Sequence, residues 1–228
     1  MTKIFPLIFI VLWSSAFITT KPIVDHSEPF SALAFRFFFV SLGFLIFSIY
    51  KNFSLVVSKS NLIQSLVSGV LFHGIYLGGV FYSVSVGMPT GIAALIVTLQ
   101  PILTNILAGP ILKENVTYHQ WIGILLGFLG AILVLGFDIG KNIPFDGVIA
   151  TVISLISITS ATIWQKKISN NLPLETSNTY QAIGGCLFHI LIIVFVTQFQ
   201  INFSFTFIAA MSHQVLLVSF GAFTILMF

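Results

Sequence analysis

Residues Phe30 to Tyr50 read FSALAFRFFFVSLGFLIFSIY, an apolar run with one charge, Arg36. A helix that crosses the hydrocarbon core of a bilayer needs about 20 such residues. Seven further apolar stretches lie on either side, at roughly 4–20, 61–84, 89–111, 118–137, 145–166, 177–199 and 206–228. Short polar breaks separate them, such as Lys21 to Pro29, Lys113 to Thr117 and Lys166 to Pro173. The whole chain of 228 residues is 57% hydrophobic and 7% charged, with mean hydropathy +1.08. A soluble domain carries roughly 25% charged residues and needs them to solvate its surface. The expected fold is therefore all-α, a polytopic transmembrane helix bundle with about eight spans.

Basic residues sit singly in short loops, so the net charge of +3 bears on topology and not on nucleic-acid binding. With the N-terminus in the cytoplasm, Lys3, Lys51, Lys59, Lys113, Lys166 and Lys167 fall inside, and only Lys21 and Lys141 outside. The reverse orientation would put most positive charge outside, so an N-inside arrangement is expected. The start, Met1-Thr2-Lys3 followed by Ile4 to Trp13, imitates a secretory signal but continues apolar to Thr20 and reads as a retained first helix. The single cysteine, Cys186, has no intramolecular partner and reads as a small packing residue.

Ser15-Ala16-Phe17-Ile18, Lys21 and Ile23 recur, 145 residues on, as Ser160-Ala161-Thr162-Ile163, Lys166 and Ile168. Five spans separate the two copies, and an odd number reverses their orientation in the membrane. That is the arithmetic of an inverted-topology repeat. Residues 1–140 then form a first five-helix repeat, and 145–228 a second with about three helices. The chain is expected to lack two C-terminal helices of a ten-helix design.

Four motifs in order carry a resemblance. Trp13-Ser14-Ser15-Ala16-Phe17 is similar to a first-helix pattern Trp-Gly-Ser-x-Phe, and Ala32-Leu33-Ala34-Phe35-Arg36-Phe37 to a second-helix pattern ending in Arg-Phe. Leu99-Gln100-Pro101-Ile102-Leu103 resembles a fourth helix with an internal proline. Lys113-Glu114-Asn115-Val116-Thr117 with Gln120-Trp121-Ile122-Gly123 resembles the start of a fifth. These are patterns of the drug/metabolite transporter superfamily, in its EamA-type permeases. Ser14 and Lys113 stand where the family pattern has glycine. The resemblance implies two inverted five-helix repeats around a central substrate pathway, in the cytoplasmic (inner) membrane. Alternating access to a neutral, partly aromatic pocket would move small amphiphilic or amino-acid-like metabolites, in the direction of export.

Polar residues within spans usually face a bundle interior or a cavity. Ser65, Gly69, His73, Tyr76 and Ser83 make one stripe, and Gly91, Ala94, Thr98, Pro101, Asn105 and Ala108 another. Thr151, Ser154, Ser157, Ala161 and Trp164 make a third. Stripes of small residues serve close packing or line a pathway. The bulkier members, Tyr76, Asn105 and Trp164, favour a pathway. Trp13 beside Ser14 at mid-span suits stacking on a substrate or plain packing, and the kink at Pro101 frees a backbone carbonyl toward a cavity or is merely tolerated. Arg36 has two readings: an outer-mouth or structural charge, snorkelling or paired with Asp25, Glu28 or Asp138, or a substrate contact. His73 and His189 read as hydrogen-bonded within the bundle, or else as proton carriers. Gly74-x-x-x-Gly78 and Gly123-x-x-x-Gly127 have helix-packing spacing.

No His-Glu-x-x-His, Gly-x-Gly-Asp, Cys/His cluster or phosphate loop is present, so an enzyme, a cofactor and a metal site are all unexpected. The expected partners are a small-molecule substrate and the lipid bilayer, with a homodimer as an open arrangement. The competing readings are a channel or non-transporting assembly subunit, and an inactive truncated permease.

Overall fold

A computed structural model of the chain describes residues 5–112, 117–135, 143–168 and 172–221. Apart from one isolated β-bridge, the regular structure among them is helical. Eight helices follow in order: α1 (Phe5–Val24), α2 (Pro29–Tyr50), α3, α4, α5 (Tyr118–Leu135), α6 (Phe145–Ile168), α7 (Leu174–Phe195) and α8. Three of them are segmented. α3 comprises Lys59–Gly69, a π-helical stretch Val70–Tyr76, and Leu77–Ser85. α4 comprises Thr90–Val97 and Gln100–Leu112. α8 passes from Phe205–Ser212 into π-helical His213–Gly221. The spans Pro29–Tyr50, Lys59–Ser85, Thr90–Leu107, Phe145–Lys166 and Leu174–Phe195 are long and apolar enough to cross a membrane. This is a multi-pass helical membrane protein.

Local chemistry sets the helix starts. Glu28 caps α2 by accepting from the Ser31 N–H, and Pro29 stands in the first turn, where a missing N–H costs nothing. Ser58 and Ser204 cap α3 and α8, accepting from Asn61 N and Phe207 N, each at 3.2 Å. Two boundaries differ from the sequence expectation. α1 does not stop at Thr20 but runs through Pro22 to Val24. The proline deletes a single N–H, and an i,i+4 ion pair between Lys21 and Asp25 closes the turn behind it. The apolar stretch 89–111 is also not one helix. Its backbone turns at Thr98 and Leu99, two residues before Pro101. Proline cannot donate to the Val97 carbonyl four residues back, so the hydrogen-bond ladder is interrupted there.

α2 packs most extensively on α7, and α3 lies between α6 and α7. α8 packs on α1, and α4 on α6. The α3–α7 contact is backbone to backbone. A Cβ on Gly69 would stand 2.1 Å from the Gln181 carbonyl oxygen, and one on Gly184 2.5 Å from that of Leu66. Gly74 and Gly78 lie under Phe188 and Phe30. Gly123 and Gly127 differ from the packing expectation: a Cβ on either would meet nothing within 4 Å among the described residues. Cys186 is buried in the apolar cluster with Leu33, Phe37, Val40 and Phe207.

Candidate functional site

α1, α3, α4 and α6 surround a cavity of about 570 Å³. The break in α4 opens its wall, where Thr98, Gln100 and Pro101 face it. From α6 come Ile158, Thr162 and Gln165, and from α1 come Trp13 and Ser14. Ser14, Thr98 and Pro101 are exposed, so the cavity communicates with the outside of the bundle. Gln100 donates to Thr162 Oγ1 at 3.1 Å and so ties α4 to α6 across it.

A second, tighter pocket of about 40 Å³ adjoins the first. Trp13, Phe17 and Phe72 line both and partition them. Their rings interlock edge to face: Trp13 and Phe72 have centroids 5.9 Å apart, and Phe72 and Tyr76 5.7 Å. Such contacts contribute about 0.5–1.5 kcal/mol each beyond apolar burial. Beyond the partition stand Tyr76 and Thr20 and a polar group built by α2 and α8, namely Arg36, Gln214 and Ser219.

Arg36 is 4% exposed. Its Nε and one Nη donate to Ser219 Oγ at 3.2 and 3.0 Å, and the other Nη donates to Gln214 Oε1. Gln214 in turn donates to the Ala16 carbonyl and to Thr19 Oγ1, each at 3.0 Å. α1, α2 and α8 are thereby joined through one guanidinium and one amide. Asp25 pairs with Lys21 and Glu28 caps α2, so neither reaches Arg36, and Asp138 lies outside the described residues.

The end of the bundle nearest Arg36 is latched. The turn between α1 and α2 meets the segment between α7 and α8 in an antiparallel bridge, Ser27 to Ile201. Glu28 N donates to Gln200 O at 2.9 Å, and Asn202 N donates to His26 O at 2.7 Å. Ser31 Oγ accepts from Gln200 N at 3.1 Å.

Of the sequence candidates, the structure gathers Trp13, Ser14, Thr98 and Pro101 on the larger cavity, and Trp13, Tyr76 and Arg36 on the smaller. Asn105 is half-buried and lines neither cavity. Trp164 also lines neither, and its indole N–H donates to the Gln64 carbonyl at 3.2 Å, tying α6 to α3. His189 donates from Nε2 to the His73 carbonyl at 3.0 Å, inside the π-helical stretch of α3. Sequence reasoning missed Phe72, Gln100, Gln165, Gln214 and Ser219. Gln214 had a signal, being an amide deep in the apolar stretch 206–228.

The profile of the EamA-like transporter family matches residues 2–136. The chain belongs to the EamA-like transporter family. That is a family of transporters, not of enzymes. The matched stretch holds α1 to α5 of this EamA-like chain, hence most of the wall of the larger cavity. Among curated relatives, an uncharacterized transporter of Bacillus subtilis is 27% identical, over 83% of this chain and 64% of its own length. A probable amino-acid metabolite efflux pump of Salmonella typhimurium is 24% identical, over 73% of this chain and 54% of its own. An S-adenosylmethionine uptake transporter of Rickettsia bellii is 28% identical, over 57% and 43%. The EamA-like chain thus spans between 43% and 64% of the length of these three relatives.

Proposed function

We propose that this chain works as a transporter of small amino-acid-like or other amphiphilic metabolites across the cytoplasmic membrane, by alternating access and in the direction of export. The observation that carries the reading is the layout of the two cavities. An open cavity of about 570 Å³ ends at the Trp13–Phe17–Phe72 partition, and beyond it a tight pocket ends below a latched face. A pathway open on one side and closed on the other is what alternating access needs. The N-terminus is cytoplasmic in this reading, supported by the lysine distribution, and the open cavity faces the cytoplasm.

Residues 1–140 and 145–228 act as the inverted repeats. In support, α1 packs on α8 as α6 packs on α3, and α3 and α8 each carry a π-helical stretch. π-Helical turns occur frequently at functional sites. The efflux name of the Salmonella relative supports amino-acid-like cargo and export, and the Rickettsia relative is named for uptake. The partners are the cargo and the bilayer, and the open Gly123–Gly127 face of α5 is compatible with a homodimer.

The test is uptake and release of radiolabelled amino acids by proteoliposomes of purified protein. Saturable flux, lost in Trp13→Ala, is expected. Flux linear in solute and indifferent to Trp13→Ala, or none above empty liposomes, would count for a channel or a non-transporting subunit.

A further inference from the structure

A guanidinium has five N–H donors, and the described residues engage three of those of Arg36, all with neutral acceptors. One N–H on each Nη remains, and Arg36 lines the tight pocket. Among the described residues none of the four carboxylates, Asp25, Glu28, Asp146 and Glu175, pairs with it. A charge held within a membrane bundle is expensive unless it is neutralised, and such residues mark pathways. Gln214 and Ser219 orient the group without neutralising it. The hydrogen bonds that Gln214 donates to α1 fix its amide so that the oxygen, not the nitrogen, faces the guanidinium. The result is an oriented cation on a pocket into which no described side chain of opposite charge reaches.

Size narrows the occupant. One water needs about 10–15 Å³ of such space, so the pocket holds about three waters, or one carboxylate group. Past the aromatic partition lies the larger cavity, whose apolar wall from Trp13, Phe17, Phe72 and Ile158 stands beside the amides of Gln100 and Gln165. An occupant spanning both has a compact anionic head and an apolar or aromatic body.

We infer that Arg36, held by Gln214 and Ser219, is the anion-recognition residue of this chain, and that it binds the carboxylate of an amphiphilic organic acid or zwitterion whose body rests on Trp13 and Phe72. Arginine suits that head because two parallel N–H bonds match the two carboxylate oxygens. The inference deepens the transport reading by naming which end of the cargo is read. It rests on that reading for its physiological meaning, but the binding itself does not require flux.

The test uses the full chain in detergent and a probe series that shares one body: 3-phenylpropionate, L-phenylalanine, phenylethylamine and the methyl ester of phenylalanine, with acetate and chloride as small anions. Binding is read by tryptophan fluorescence and by thermal stabilisation. The two carboxylate-bearing probes are expected to bind, and the amine and the ester about tenfold more weakly or not at all. Arg36→Gln should remove that preference. Gln214→Glu, which sets a carboxylate beside Arg36, should weaken carboxylate binding about tenfold or more with the arginine still present. If Arg36→Gln does not fold, the wild-type series and Gln214→Glu decide the matter.

Equal binding of charged and uncharged probes would overturn the inference. So would no response to any probe, a response to chloride with none to the organic acids, or a folded Arg36→Gln that keeps the preference. Carboxylate binding in detergent without flux in liposomes would uphold the inference and sink the transport reading. Saturable flux indifferent to the carboxylate would do the opposite.

Discussion

Replacing Gly69 by alanine tests the backbone contact between α3 and α7. The new Cβ would stand 2.1 Å from the Gln181 carbonyl oxygen and 2.7 Å from its Cα, where ordinary contact begins at 3.4 Å. What it meets is backbone, so no side chain can swing aside. α7 would have to move by more than an ångström, although Gly184 and Gly185 seat it against Leu66 and His73. Overpacking of this kind costs about 1–3 kcal/mol, against a helix-propensity gain of up to about 1 kcal/mol for alanine over glycine. Because the clash is with backbone, the cost falls at the upper end, about 2–3 kcal/mol, and the net loss of about 1–2 kcal/mol corresponds to a melting drop of about 2–8 °C for a chain of this size. Gly123→Ala is the internal control. Among the described residues nothing stands within 4 Å of its Cβ, so only the propensity gain remains and melting should rise by about 2–4 °C. Both are read by gel-filtration-monitored melting in one detergent. A Gly69→Ala protein that melts at or above wild type would refute the α3–α7 contact described above.

Three further outcomes are expected. In a Cys186→Ala background, Ser27→Cys with Ile201→Cys should form a disulfide on oxidation, because residues facing across an antiparallel bridge lie within disulfide reach. The crosslink should stop flux until a reductant is added, and flux unchanged by a completed crosslink would show that the latch does not open during transport. Trp164→Phe keeps an aromatic side chain but loses the bond to Gln64 O, so melting should fall by at least the few degrees that about 0.5–1.5 kcal/mol represents. An uptake defect with unchanged melting would place Trp164 on the pathway instead. Pro101→Ala should change stability by less than about 1 kcal/mol, since the first turn of a helix does not use that N–H. It should nonetheless lower flux by letting the two pieces of α4 rejoin, and a fully active variant would separate the break from function.

The eight helical segments were legible because the bilayer demands long apolar runs, and that demand is written residue by residue in composition. Their interruptions were not. The π-helical stretch at Val70–Tyr76 has no compositional mark, because it arises from how α3 fits between α6 and α7. The break at Thr98 and Leu99 was half legible, since Pro101 announces a disturbance but not its position two residues upstream. The setting of Arg36 was hidden for another reason. Carboxylates nearby in sequence are natural candidates for a lone arginine, but its partners Gln214 and Ser219 come from α8, 178 and 183 residues away. Trp13 was singled out by its depth and Tyr76 by its bulk within a polar stripe, and no property of either residue says that one belongs to the aromatic partition and the other stands beyond it.

The latch at Ser27 and Ile201 is made almost wholly of peptide groups: the hydrogen bonds from Glu28 to Gln200 and from Asn202 to His26 join main chain to main chain. Such a fastening is indifferent to which side chains flank it, provided that two extended segments can lie side by side. Neither loop is then held to a motif. Their composition can drift between descendants while the closure survives, so comparing sequences would pass over one of the mechanically decisive parts of the protein.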